Sequence, residues 1–200
     1  MKDLFPPLDG IVDSYPKEKI LKDELKATLR PLEKTDHEAL FEFFKAVPEN
    51  ERLFIKHQVQ NPEVIKRWCQ KLDLEKDFPI LALGEDGQIL AACTLHQNGF
   101  GWKRHIGRVS VFVHPNFRRK GLAYALVEQL MGVARQLGLE KLEAEFVAEQ
   151  ERAMKIFALL GFSDLLHLPK YVMDMQGKHH DYLLMGILLT TDIEYAGVGG

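Results

Sequence analysis

Residues 105–137 pass from an apolar, β-branched stretch through a short basic turn into an amphipathic helix. The junction reads Val111-Phe112-Val113-His114-Pro115-Asn116-Phe117-Arg118-Arg119-Lys120-Gly121-Leu122-Ala123. Behind it, Leu122, Leu126, Leu130 and Val133 recur on one helical face, and Gly138 supplies a natural C-terminal stop. A strand feeding directly into such a helix needs a sheet to join and a layer to bury the helix against. The unit therefore commits the chain to an α/β architecture.

The same unit sits in a charge anomaly. Between Gly87 and Val127 there is no acidic residue, although the chain carries 29 elsewhere. Lys103, Arg104, Arg108, Arg118, Arg119 and Lys120 all fall inside that window. A glycine with basic flanks, followed by a helix start, suits a phosphate. Backbone N–H groups of the first helical turn are free, and the helix dipole favours negative charge there. Gly121 lets the backbone approach an anion with no side chain between them. The overall charge of −3 argues against a general nucleic-acid binder, so the basic window reads as a local anion site.

Two hundred residues, 46% of them hydrophobic, suit one domain with its own core. Residues 1–26 are punctuated by proline and then charged, and read as an N-terminal arm. The domain is expected over residues 27–190, with residues 191–200 as a loose tail. A short strand is expected over 27–32. Thr35-Asp36-His37-Glu38 has capping-box spacing and opens a helix to about Ala46. Asn61-Pro62 opens another to about Lys71. Phe78–Leu83 and Gln88–Leu95 flank Asp86-Gly87 as a hairpin. A strand over 105–114 and the central helix follow. Leu142, Ala144 and Phe146 alternate with Glu143, Glu145 and Val147 as a strand, and a helix spans 149–160. Two late strands are expected near 171–175 and 182–189. The result is one mixed α/β sheet covered by helices.

Cys69 and Cys93 have neither metal spacing nor a disulfide framework and read as reduced thiols of a cytoplasmic protein. No signal-peptide core and no stretch of membrane-spanning length is present, so no membrane partner is expected. No metal is expected either. In Lys178-His179-His180-Asp181, adjacent histidines on a strand face opposite sides, so turn plus strand start is the better account.

Two separated motifs make the chain resemble the GNAT superfamily of acyl-CoA-dependent acyltransferases. Arg118-Arg119-Lys120-Gly121-Leu122-Ala123 is similar to the family pattern Gln/Arg-x-x-Gly-x-Gly/Ala between a strand and a helix. Ala153-Met154-Lys155-Ile156-Phe157-Ala158-Leu159-Leu160-Gly161-Phe162 resembles its second signature, Ala-x-x-x-Tyr/Phe-x-x-x-Gly-Phe. The resemblance covers about Leu29 to Leu189. It implies a mostly antiparallel, twisted sheet that splays between the fourth strand (105–114) and the fifth (141–147), with helices on both faces. It also implies acetyl-CoA as acyl donor, bound in the splay. Amides from Arg119 through Leu122 and Ala123 to Tyr124 would hold the pyrophosphate, with Arg118, Arg119 and Lys120 adding charge. Val111, Phe112 and Val113 would bind the pantetheine arm as an extra strand does. An N–H near Val113 would polarise the thioester carbonyl. Gln150, where many members have asparagine, and Phe157 join this cofactor set. Family members are often dimers, a point composition does not decide.

Acyl transfer to an amine needs a neutral nitrogen. A lysine-like amine of pKa about 10.4 is neutral in roughly one molecule of a few thousand at pH 7, a deficit of about 4–5 kcal/mol. A base is therefore useful. Glu145 is the first candidate, five residues before Gln150, the offset at which the resemblance implies a catalytic glutamate. The plainer account is that Glu143 and Glu145 line the wet face of a strand. Where the second motif often has a tyrosine as general acid, this chain has Phe157, which donates no proton. Tyr171, Tyr182 or solvent must then serve. Arg108, Ser110 and Phe112 stand where some members carry another glutamate. His96, His105 and His114 are further candidates, since imidazole suits proton transfer near neutral pH, but they read first as structural. Gly99-Phe100-Gly101-Trp102 either lines the acceptor pocket or caps a hairpin. The expected activity is N-acetyl transfer from acetyl-CoA to an unidentified amine in a ternary complex. The rivals are a catalytically silent acyl-CoA-binding module and, more weakly, a mononucleotide or phosphosugar binder. That last reading lacks a Walker pattern and a dinucleotide fingerprint.

Overall fold

The computed structural model describes residues 8–52, 55 and 59–189. Eight strands form one sheet: β1 (Lys17–Ile20), β2 (Lys26–Pro31), β3 (Asp77–Leu83), β4 (Ile89–His96), β5 (Ile106–Val113), β6 (Lys141–Val147), β7 (Ser163–Met173) and β8 (His179–Leu188). Their spatial order is β1-β2-β3-β4-β5-β6-β8-β7, antiparallel throughout except for the parallel pair β5 and β6. The α-helices among the described residues are α1 (Leu8–Val12), α2 (His37–Ala46), α3 (Glu49–Arg52), α4 (Pro62–Gln70), α5 (Leu122–Gln136) and α6 (Glu151–Leu159).

Local signals explain much of this. Gly87, at φ +80°, turns β3 back into β4, and Gly84 N–H closes the turn on Gln88 O at 2.9 Å. Asn61 caps α4 by accepting Glu63 N–H at 3.0 Å, with Pro62 in the first turn. The start of α2 differs from the expected Thr35 box. Asp36 Oδ2 accepts the Glu33 N–H at 2.7 Å, and Arg30 grips both oxygens of that carboxylate, each at 2.7 Å. The Asp36 carboxylate thus closes the short turn before α2, and it makes no side-chain cap bond to α2 itself.

The sheet separates two apolar cores. On one face, Leu122, Leu126, Leu130 and Val133 of α5 pack with Phe157 of α6, Ile11 of α1 and the inward residues of β3–β6. On the other, Leu40, Phe43 and Phe44 of α2 pack with Ile65 and Cys69 of α4 and with Leu81, Ile89 and Ala92. Helices on both faces bury what each strand turns outward. Cys69 and Cys93 lie buried and unbonded to each other. Among the described residues no helix is long and apolar enough to cross a membrane.

Two expectations change. Part of the arm expected over residues 1–26 joins the sheet: β1 pairs with β2 from Lys17↔Leu29 to Ile20↔Lys26, and Ile11 is 2% exposed in the core. Residues 1–7 and the expected tail 191–200 lie outside the described residues. The penultimate strand starts at Ser163, well before Tyr171. Pro169 and a register shift between Leu168 and Val172 interrupt it, which is how an edge strand accommodates proline. Counting β1, the fourth and fifth strands of the sequence reading are β5 and β6.

Between these two the sheet parts. Their ladder runs only from Ile106↔Lys141 to Arg108↔Glu143. Beyond it β5 stays with β4 through Val113, while β6 follows β8 through Val147. A wedge opens from Val109 and Ala144 onward, with strand edges for walls.

Candidate functional site

At the wide end of the wedge, β5 leads through a 3-10 turn (Pro115–Phe117) to the start of α5. Gly121 is the N-cap at φ +91°, a conformation that costs an L-residue about 1–2 kcal/mol. A Cβ built on Gly121 meets nothing within 4 Å, so the space before the helix is open. Among the described residues the N–H groups of Arg119 through Tyr124 have no hydrogen-bond partner, and the first turn carries no acidic residue. Six amides in sequence, a positive helix end and an open approach form a cradle for a negatively charged group.

The basic side chains behave differently from what the acid-free window suggests. Lys120 is paired with Asp23, and Lys22 N–H donates to Lys120 O at 3.1 Å. Arg118 Nη2 lies 2.8 Å from Glu51 Oε2. Lys103 faces Glu143 at 4.0 Å and Arg108 faces Glu145 at 3.3 Å. Carboxylates distant in sequence thus balance four of the six cations. Arg119 is exposed, at φ +65°, on the turn itself.

Toward the narrow end, one sheet face carries a row of polar side chains. Arg108 and Ser110 alternate outward from β5, and Glu143 and Glu145 from β6, on the side that also bears α2 and α4. Phe112 marks that side by packing its ring on Phe44 at 5.8 Å. Tyr182 of β8 donates its hydroxyl to Glu145 Oε1 at 3.1 Å. Burial, and then the Glu145 charge, push the Tyr182 phenol up to about 12. Beside this group lies a cavity of about 160 Å³ lined by His96, Gln97, Asn98, Lys103, Ile106, Gly107, Arg108 and Glu143. Gln97 Nε2 and Arg108 Nε are buried there without hydrogen-bond partners.

The remaining expected residues lie in several different surroundings. Val111 and Val113 are half-buried against the α5-side core, their backbones on the open stretch of β5, and Ala123 and Tyr124 border the helix start. Gln150 is engaged otherwise: its Oε1 accepts Val147 N–H at 3.0 Å and caps the turn before α6. Leu122 and Phe157 are core residues, 2% and 1% exposed. Phe157 stacks edge-on with Phe146 and Phe162 in that core. Tyr171 is 67% exposed on β7 and meets Tyr182 ring to ring at 5.9 Å. His114 Nδ1 accepts Asn116 N–H at 3.3 Å, and burial followed by the Arg118 charge holds its pKa below the usual histidine range. That is a structural role. Ser110 and Asp77, neither singled out as functional from the sequence, join His96 in this polar row through cross-strand register.

Comparison with known proteins agrees with this geometry. Residues 35–162 match the model of the acetyltransferase (GNAT) family. The L-amino acid N-acyltransferase MnaT of Escherichia coli (strain K12) is 26% identical over 123 residues, covering 61% of this chain and 71% of that protein. The GNAT domain of S. lividans PAT superposes with a TM-score of 0.72 at 20% identity, covering 87% of this chain and 97% of that one. A GNAT superfamily phosphinothricin acetyltransferase from Sinorhizobium meliloti, solved with AcCoA, superposes with a TM-score of 0.69 at 18% identity, covering 82% and 88%. At these identities the two solved structures show a shared fold.

Proposed function

Since the chain belongs to the GNAT family of acetyltransferases and is an acyltransferase, we propose that it moves an acetyl group from acetyl-CoA directly to a primary amine. One observation carries the reading: the wedge between β5 and β6 ends at an open helix start with unpartnered amides. The amides of Arg119–Tyr124 hold the pyrophosphate, and Arg119 adds charge. The open edge of β5 at Val111–Val113 takes the pantetheine arm as a neighbouring strand. The thioester then lies between β5 and β6, where an edge N–H stabilises the developing oxyanion. Glu145 accepts the ammonium proton of the acceptor, and Tyr182 and Arg108 hold its carboxylate toward the wedge.

The acceptor, in this reading, is a small amine that also carries a carboxylate. Lys103 and Arg108 line the cavity beside Glu143, and the unpartnered Gln97 and Arg108 donors lie at its wall. Such a site rewards an anion that fills it. The relative from Escherichia coli is named for L-amino acids, which supports the same class.

Titration calorimetry with acetyl-CoA, free CoA and ATP tests the donor. Saturable binding of acetyl-CoA and of free CoA, with competition by CoA and none by ATP, is expected. No heat with acetyl-CoA removes the reading. Thiol release across a panel of amines then tests the acceptor, and L-amino acids should outrun polyamines. Binding with no turnover on any amine would instead favour an acyl-CoA sensor.

A further inference from the structure

Asp77, His96 and Ser110 stand side by side on β3, β4 and β5. Asp77 Oδ1 lies 2.6 Å from His96 Nδ1, and Ser110 Oγ lies 3.1 Å from His96 Nε2. A carboxylate can only accept, so the neutral ring keeps its proton on Nδ1 and turns the Nε2 lone pair to the serine hydroxyl. This is the carboxylate–imidazole–hydroxyl order in which a serine becomes a nucleophile. The plain alternative is a serine that satisfies a half-exposed His–Asp pair.

Position argues for more. Ser110 is the second residue after the β5–β6 ladder ends at Arg108, so it sits on the wall of the wedge. Extending the register from Arg108↔Glu143 by two residues sets Ser110 level with Glu145 across the opening. The cavity of about 160 Å³ opens against His96. That is several times the ~30 Å³ share of one water. A nucleophile and its base thus meet at the wall of the wedge, and the cavity adjoins the base on the side of the paired residues Ile106–Arg108.

We propose that Asp77, His96 and Ser110 form a second catalytic site, a serine thioesterase that takes the acyl group from acyl-CoA and hands it to water. The proposal rests on the acyl-CoA reading above. His96 Nε2 removes the Ser110 proton as Oγ bonds to the thioester carbon, and the C–S bond breaks with its electron pair on sulfur. The imidazolium returns that proton to the thiolate. Water then adds to the acyl-serine, giving a proton to Nε2, and the C–Oγ bond breaks as Ser110 recovers it. Acyl-CoA and water become a carboxylic acid and CoA thiol. Asp77 is a positioning residue that fixes the ring tautomer and balances its transient charge.

The test uses the intact protein with acetyl-CoA and no amine, following CoA release chromatographically and acyl-serine by mass spectrometry of acid-quenched samples. Steady release above the buffer rate and an acetyl adduct mapped to Ser110 are expected. Ser110→Ala and His96→Asn should each lower release by about a hundredfold or more. Asp77→Asn should lower kcat with KM retained, the mark of a wrong tautomer and not of lost binding. Amine-free release equal to buffer, an adduct on another residue, or a Ser110→Ala variant releasing CoA at the parent rate each overturns the proposal. If acetyl-CoA also fails to bind in calorimetry, the transferase reading falls with it. If it binds and acetylates an amine, only the thioesterase falls.

Discussion

Tyr182 donates its hydroxyl proton to Glu145 Oε1 over 3.1 Å, tying β8 to β6 where β6 loses β5 as its other neighbour. The phenol, at about 12, holds its proton far more tightly than an ordinary thiol near 8.5. Transfer from Tyr182 to a departing CoA thiolate would run uphill. In the proposed reaction Tyr182 would therefore orient Glu145, leaving solvent to protonate the thiolate.

Glu145→Gln should lower kcat for amine acetylation by about a hundredfold or more while acetyl-CoA affinity changes little. The loss should be greatest below neutral pH, where the fewest acceptor amines are already neutral. Tyr182→Phe removes one hydrogen bond and should cost only about tenfold in kcat. Steady-state kinetics over pH 6–9 reads both. Equal loss in the two variants would mean that Tyr182 reacts instead of positioning.

Features resting on neighbours in sequence were legible, and those resting on strand register were not. The Asp86-Gly87 hairpin, the Asn61-Pro62 start and the Gly121 turn are written in consecutive residues, and the α5 face in its period. Lys17–Ile20 gives no apolar run, so β1 passed for an arm until β2 supplied its partner. The partners of Arg118 and Lys120 are not legible locally, because their carboxylates lie 67 and 97 residues away. Motif position alone does not reveal that the Phe157 ring packs against Phe146 and Phe162. Asp77, His96 and Ser110 come together only once β3, β4 and β5 are in register.

Gly121→Ala separates space from conformation. The added methyl meets nothing within 4 Å in the protein, so any crowding is with the guest. The left-handed φ should lower unfolding stability by about 1–2 kcal/mol. Acetyl-CoA affinity should fall by about tenfold or more, since a Cβ would stand where the proposed pyrophosphate site meets the amides. Denaturant melts and calorimetry read the two effects separately. Unchanged affinity with reduced stability would move the anion away from this turn.

Asp23→Asn tests whether the N-terminal segment competes with the cofactor. Asp23 pairs with Lys120 from a turn in which Asp23 and Glu24 both adopt φ +55°, and the Lys120 partner holds its carboxyl below the usual range. Freeing Lys120 for a phosphate should tighten acetyl-CoA binding by about two- to fivefold at low salt, since the exposed pair it replaces is weak. The gain should fade as salt is added. Calorimetry at two ionic strengths decides it, and weaker binding in the variant would show that Asp23 shapes the turn instead of masking it.

His180 predicts a pH-dependent anchor for the β7–β8 hairpin. Asp174 Oδ2 lies 2.9 Å from its Nε2 and Glu149 Oε1 2.7 Å from its Nδ1, so both ring nitrogens donate and the ring is held as imidazolium. Asp174, then Glu149, raises the His180 pKa, and His180 in turn lowers both carboxyl values. The histidine contribution is fully present below its ordinary value of 6.5 and is lost as pH climbs through the raised one. The carboxylate contributions are present above their ordinary values of 3.8 and 4.5 and are lost as pH falls through the lowered ones. The anchor is therefore strongest between about pH 4.5 and 6.5. Tm should drop more from pH 5.5 to 8.5 in the parent protein than in His180→Asn, which cannot carry the charge. Equal drops would mean that the hairpin is held by its ladder to β6 and not by this charged triad.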